Sequence, residues 1–313
     1  MQADTDGDRQ TALLTYQYLR SAMVALLIAL AAAVIIQSFE QSFVLPSISA
    51  YYYTPAQAIF VGSIIALGIA MIALRGLDDV EDVILNLGGM LAPIVALVPT
   101  SRGEDFKAAV KACRTADVSV LTDRAPTKFD CPTAISLTAA TRANVENNIT
   151  AFLIAGGLGL LVVSAFALVG PKGSPVDFDN VASKAKWGLT LAAVVYLAVL
   201  VGFVVDIDWF IDNAHYAAAT GLFVAIVGVV VANARRRDPA KTPSVIQMAQ
   251  REGRWYFYLA VTMVAAFVVL SVLVYTDVIS LFVLEAVLIG LFAAFWVGQT
   301  VERWDPDSVR RGQ

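Results

Sequence analysis

Runs of about twenty apolar residues recur along this chain, each long enough to cross about 30 Å of hydrocarbon as a helix. Eight can be placed, at 21–39, 57–74, 84–99, 149–169, 188–205, 213–233, 255–275 and 279–298. They account for the composition, which is 58% hydrophobic and 15% charged over 313 residues. In a soluble domain charged residues make up about a quarter. The formal charge of −4 leaves no general basic surface, which sets nucleic acid aside. Asp4, Asp6 and Asp8 precede the first run, and no small-residue cleavage site follows it. Ser21–Phe39 therefore reads as a retained span rather than a signal peptide.

Lys and Arg set the orientation. With the N-terminus inside, the cytoplasmic segments carry 15 of the 22 basic residues, including Arg235, Arg236, Arg237, Lys241, Arg251 and Arg254. The other seven lie in one long outer loop, which the positive-inside rule weighs little. The expected fold is an all-α integral membrane protein. It is a bundle of eight transmembrane helices, N-in and C-in, with one disulfide-closed extracytoplasmic loop. Its parts are a cytoplasmic tail (1–20), three helices (21–100), the outer loop (101–148), five helices (149–303) and a second cytoplasmic tail (304–313). The expected location is a cell membrane, of the bacterial inner-membrane kind, with 101–148 outside.

Within the outer loop, EDFKAAVKACRTA has Phe106, Val110 and Cys113 at helical spacing, the mark of an amphipathic helix. Cys113 and Cys131 are the only cysteines, and a pair facing an oxidising compartment is most simply a disulfide. Tyr51, Tyr52, Tyr53, Trp255, Tyr256, Tyr258, Trp296 and Trp304 lie near span ends, where amphipathic rings anchor at the interface. Pro93 falls inside the third span and Pro99 closes it.

Three groups of residues carry chemistry. Asp78, Asp79 and Asp82, with Glu81, form a D-D-x-x-D pattern after the second span. On a helix Asp78 and Asp82 share a face with Asn86, so oxygen ligands could converge on Mg²⁺, the one cofactor the sequence suggests. The same acids at a helix N-terminus are favoured by its dipole, which is the simpler reading. Glu285 is the acidic residue well inside a span, and an ionisable group at that depth is a functional candidate. His215, the sole histidine, opens the sixth span close to Asp206, Asp208 and Asp212. A cluster of Asp206, His215 and Glu285 would relay protons or bind a polar headgroup, or would be a buried network that holds the bundle together.

The segment SISAYYYTPAQAIFVG, through Ser47, Ser49, Pro55 and Phe60, resembles the opening loop of Frag/DRAM/Sfk-type membrane proteins and related bacterial families. The resemblance covers about 55 residues, positions 45–100. It implies a role in organising or moving membrane lipids, with no agreed catalytic residues. Ser47 and Ser49 join Glu285, His215 and Asp206 as candidate ligand-binding or proton-relay residues. Those proteins usually have six spans, so the extra pair and the disulfide loop are departures. The D-D-x-x-D pattern also resembles the first motif of intramembrane prenyltransferases, but the loop after the sixth span lacks their second motif, having only Asp238 and Glu252. A more distant resemblance to alkaline-ceramidase-like and progestin-receptor-like membrane hydrolases meets an obstacle, because their zinc needs three histidines.

The sequence thus points to a non-enzymatic membrane protein that binds or organises lipids, with no catalytic residues. Its alternatives are a proton-coupled transporter using the Glu285, His215 and Asp206 cluster, and an Mg²⁺-dependent lipid-diphosphate enzyme. The expected partners are membrane lipids, a second copy of the chain, or a complex in which it is an accessory subunit.

Overall fold

The computed structural model describes residues 2–76, 78–102, 104–115, 130–169, 183–236 and 254–302. Among these residues there is no strand. In chain order the elements are α1 (Gln2–Gln41), a 3-10 helix (Ile48–Tyr53), α2 (Gln57–Ala73), α3 (Asp79–Leu97) and α4 (Glu104–Thr115). They continue as α5 (Cys131–Val169), α6 (Ser183–Val205), α7 (Ile207–Arg236), α8 (Arg254–Tyr275) and α9 (Leu281–Glu302). Seven of them, α1, α3 and α5 to α9, contain segments long and apolar enough to cross a membrane. The second expected span, α2, has 17 residues and is shorter than the others.

Local chemistry sets the helix limits. α3 begins at Asp79, five residues before the expected span, because Asp78 caps it. Its carboxylate accepts from the backbone N–H of Val80 at 3.0 Å and Glu81 at 2.8 Å. Asp79, Glu81 and Asp82 fill the first turn, where the helix dipole favours negative charge. Pro93 lies inside α3 without ending it. α5 starts at Cys131, so part of the expected outer loop is a direct extension of the fourth span. The Cys113–Cys131 disulfide is present and ties α4 to the start of α5.

Six helices form a ring. α1 packs on α2, α2 on α3, α3 on α7, α7 on α8, α8 on α9, and α9 closes back on α1. α5 and α6 lie outside the ring, against α3 and each other. The outer face of α6 presents Trp187, Leu191, Val194, Leu197, Val201 and Val204 to its surroundings, as a helix bordering hydrocarbon does. The 3-10 helix and α4 mark one end of the bundle, here called the disulfide end. The other is the Asp78 end.

The α2–α3 contact depends on missing side chains. A Cβ added to Gly68 would lie 2.8 Å from the Gly89 carbonyl oxygen, and one on Gly89 would lie 2.5 Å from that of Gly68. The two backbones touch there, the close approach by which small residues strengthen membrane helix packing.

The aromatic residues correct a sequence expectation. Tyr51, Tyr52, Tyr256 and Trp296 are buried inside the bundle instead of anchoring at its rim. Tyr51 and Tyr52 pack with Phe60, Leu30 and Val34, while Trp296 and Tyr256 join the main core with Phe295 and Met263. The Tyr51 hydroxyl meets Ser38 of α1, a partner that nearness to a span end does not reveal. Trp255 and Tyr258 are exposed, as expected. Trp304, Arg237, Lys241, Arg251, Asp238 and Glu252 lie outside the described residues.

The Gly68–Gly89 contact makes a direct test possible. Gly89→Leu is expected to destabilise the protein by about 1–3 kcal/mol, the usual cost of overpacking. Gly290→Leu, where an added Cβ meets nothing within 4 Å, is expected to be neutral. Thermal unfolding of both variants in the same detergent distinguishes them.

Candidate functional site

Glu285 sits in the second turn of α9 and faces the segment that leads into the 3-10 helix. The backbone N–H of Phe282 donates to the Pro46 carbonyl at 2.7 Å, which docks that segment on the helix start. The Ile48 N–H then donates to Glu285 Oε2 at 2.5 Å. The Ser47 hydroxyl lies 2.9 Å from Oε2 and 3.1 Å from Oε1. Ser47 is also the N-cap of the 3-10 helix, accepting from the Ser49 N–H at 3.0 Å. The two serines of the SIS turn therefore have separate tasks, and Ser47 takes both the cap and the carboxylate.

Ser49 extends the chain of hydroxyls to α3. Its Oγ lies 2.5 Å from Thr100 Oγ1 and accepts from the Thr100 N–H at 3.3 Å. The Tyr53 hydroxyl donates to the Thr100 carbonyl at 2.9 Å. Above it, the Arg102 guanidinium lies 3.8 Å from the Tyr53 ring centre, a cation–π contact. Burial pushes the Tyr53 phenol up to about 12, and the nearby Arg102 charge only partly offsets this. The phenol thus stays a neutral donor across the physiological range.

His215 enters from α7 and closes α3. A residue at position 99 would normally donate its N–H to the Val95 carbonyl, but Pro99 has none. The His215 Nδ1 takes that place, 3.1 Å from the Val95 oxygen and 2.7 Å from that of Val98. Two carbonyls at Nδ1 assign the ring proton to that nitrogen. Nε2 has no hydrogen-bond partner among the described residues.

These groups border a cavity of ≈ 220 Å³ inside the six-helix ring. Ser49, His215 and Glu285 are part of its wall, and Leu27, Leu67, Met71 and Phe292 are among the many apolar side chains that form the rest. Tyr216 and Thr220 of α7 also line it and are exposed, so the cavity opens to the side of the bundle. There α7 and α9 touch only sparsely.

The other sequence candidates go elsewhere. Asp206 is exposed and caps α7, accepting from the Trp209 N–H at 2.9 Å. Asp208 pairs with Arg142, and Asp212 with Lys107 at 3.1 Å. The structure therefore brings Glu285, Ser47 and Ser49 into contact, adds His215 on the same cavity, and leaves Asp206 out. Asp78 serves as the α3 cap, and Asp82 Oδ1 accepts from the Gly76 N–H at 3.0 Å. Among the described residues no three His, Cys, Asp or Glu side chains gather as a metal-binding group.

A second polar cluster escaped sequence reasoning. Near the Asp78 end, Arg20 of α1 donates to Gln299 Oε1 of α9 at 2.7 Å. Gln299 Nε2 donates to Asn233 Oδ1 of α7 at 2.9 Å, and Asn233 Nδ2 to Glu81 Oε1 of α3 at 2.9 Å. All four residues are buried. The Arg20 guanidinium also lies over the rings of Tyr16 and Trp296. Gln299 lies one residue beyond the last expected span, 279–298, so no residue of the cluster stood out in the sequence.

In comparisons with known proteins the chain matches no family model, no curated protein and no solved structure.

Two outcomes follow from this geometry. Asn233→Leu interrupts the link between Gln299 and Glu81 and is expected to cost about 1–3 kcal/mol, the desolvation of groups left without their bond. Chemical unfolding in detergent measures it. Tyr53 has a folded-state value raised above its ordinary 10.0. Its contribution to stability is thus complete below the ordinary value and declines as pH rises from there through about 12. Ultraviolet titration of the wild type minus Tyr53→Phe is expected to yield one phenol that ionises near the upper limit.

Proposed function

We propose that this is a multi-pass membrane protein that binds a membrane lipid inside its six-helix ring, without catalysing a reaction on it. One observation carries the reading: the ring encloses an apolar cavity that opens sideways and has Glu285, Ser49 and His215 in its wall. A lipid has the same division, a hydrocarbon chain attached to a polar head. Ligand pockets are mostly apolar with a few placed polar groups that fix orientation, which this cavity matches.

The eight-span arrangement belongs to the same proposal. With 17 residues α2 is about 26 Å long, close to the thickness of the hydrocarbon core. It starts beside the 3-10 helix at the disulfide end and finishes near Asp78, so it runs the same course as its neighbours. The disulfide favours an oxidising compartment at its own end, which supports N- and C-termini on the cytoplasmic side of a cell membrane. The capping roles of Asp78 and Asp82 favour lipid binding over metal-dependent chemistry, because those carboxylates already hold backbone N–H groups.

Native mass spectrometry of the protein extracted gently from its own membrane tests this. A retained lipid is expected on the wild type. Ala219→Trp, which fills the cavity from α7, is expected to remove most of it. A protein that carries no lipid, or carries as much after the substitution, would overturn the proposal.

A further inference from the structure

We infer that the cavity takes a single-chain amphiphile whose head donates hydrogen bonds, a hydroxyl or an ammonium, entering sideways between α7 and α9. This rests on the lipid-binding reading of the same cavity and specifies its ligand.

The head group follows from a count of donors and acceptors. Ser47 has one hydroxyl proton, so it serves one Glu285 oxygen at a time. Oε2 already accepts from the Ile48 N–H at 2.5 Å and lies nearer Ser47. Oε1, whose hydrogen-bond partner among the described residues is Ser47 at 3.1 Å, keeps accepting capacity for a guest. His215 adds a second acceptor, since Nδ1 holds the ring proton against the Val95 and Val98 carbonyls. The backbone donors of this region are engaged internally: the N–H groups of Ile48, Ser49 and Thr100 all bond side-chain oxygens, and one hydroxyl proton is shared between Ser49 and Thr100. The polar end therefore offers a guest two fixed acceptors, Glu285 Oε1 and His215 Nε2, beside hydroxyls that can turn either way.

Charge points the same way. Among the described residues no Lys or Arg lines the cavity. Of the described cations at the disulfide end, Arg102 lies on the Tyr53 and Phe106 rings, Lys107 pairs with Asp212, and Arg142 with Glu146 and Asp208. Lys111 and Arg114 are exposed on α4 and are not part of the cavity wall. A phosphate or carboxylate head would enter beside Glu285 with no counter-charge, and an unpaired buried anion is strongly unfavourable. A hydroxyl or ammonium meets the acceptors directly.

Size and route complete the argument. The cavity, ≈ 220 Å³, exceeds the about 150 Å³ that holds one benzene but is small for a two-chain lipid. Its exposed lining residues, Tyr216 and Thr220, both belong to α7 and mark the side entrance. A chain lying in the bilayer would reach it without crossing water.

Thermal unfolding of the full chain in nanodiscs of one zwitterionic phospholipid tests the inference, using dodecanol, dodecylamine, dodecanoic acid and dodecyl phosphate as probes. The alcohol and the amine are expected to raise the midpoint with concentration, as any ligand of the folded state does. The acid and the phosphate are expected to need about tenfold more for the same shift. Glu285→Gln should weaken the amine by about tenfold, the loss of one charge-assisted bond. Thr220→Trp, at the mouth and outside the polar network, should abolish every shift even if Glu285→Gln does not fold. An acid or phosphate acting as strongly as the alcohol, and blocked by Thr220→Trp, would overturn the head-group inference while lipid binding stands. Shifts that survive Thr220→Trp would overturn the site. If no probe acts but the wild type retains a lipid on extraction, the single-chain inference falls alone. If no lipid is retained either, both readings fall.

Discussion

A carboxylate partly buried among helices has to find donors close by, and Glu285 finds them on a different part of the chain. The Ile48 N–H and the Ser47 hydroxyl reach it from the segment before the 3-10 helix, and Phe282 holds that segment by its Pro46 carbonyl. These bonds join the N-terminal hairpin of α1 and α2 to the last helix, which closes the six-helix ring. Ser49 and Thr100 carry the connection to α3, and His215 carries it to α7. Without that closure the cavity would have no polar end.

The Asp78 end is closed by a different device. Arg20 and Glu81 bear opposite charges but do not meet in the hydrogen-bond chain; Gln299 and Asn233 stand between them. Each amide offers a donor on one side and an acceptor on the other, so the charges are linked through a directional chain of bonds. Buried polar groups that satisfy one another in this way favour one helix arrangement over alternatives, since any rotation leaves several of them unpaired. The two polar ends thus bracket an apolar middle, where the cavity lies.

How much of this was legible depends on the kind of signal. The helices long and apolar enough to cross a membrane were visible because length and apolarity are local properties, and the cysteine pair because only two cysteines exist. Glu285 stood out as a charge in an apolar run, and Ser47 and Ser49 through their turn before the second span. The grouping of Glu285 with Asp206 was not legible: adjacency of His215 and Asp206 in sequence says nothing about which side of the α6–α7 junction each faces. Asp206 stays at the surface and caps α7, whereas His215 turns inward to replace the N–H missing from Pro99. The tyrosines before α2 were legible as aromatic but not as buried, because interface and interior select the same ring types. The Arg20 to Glu81 chain joins residues from four helices, and none of the four is unusual enough alone to announce it.

The sequence by itself determined an all-helical chain built from apolar runs, one disulfide-closed loop, an acid-capped third helix and an anomalous carboxylate in the last. The tertiary structure alone decided which helices are neighbours, which way Glu285 and His215 point, and that a cavity lies between them. The reason is physical. α6 and α7 are apolar nearly all the way round, so their periodicity does not say which face turns inward. Rotation is settled by the donors and acceptors of other helices, and by glycine contacts such as Gly68 with Gly89, which exist only once the helices are together.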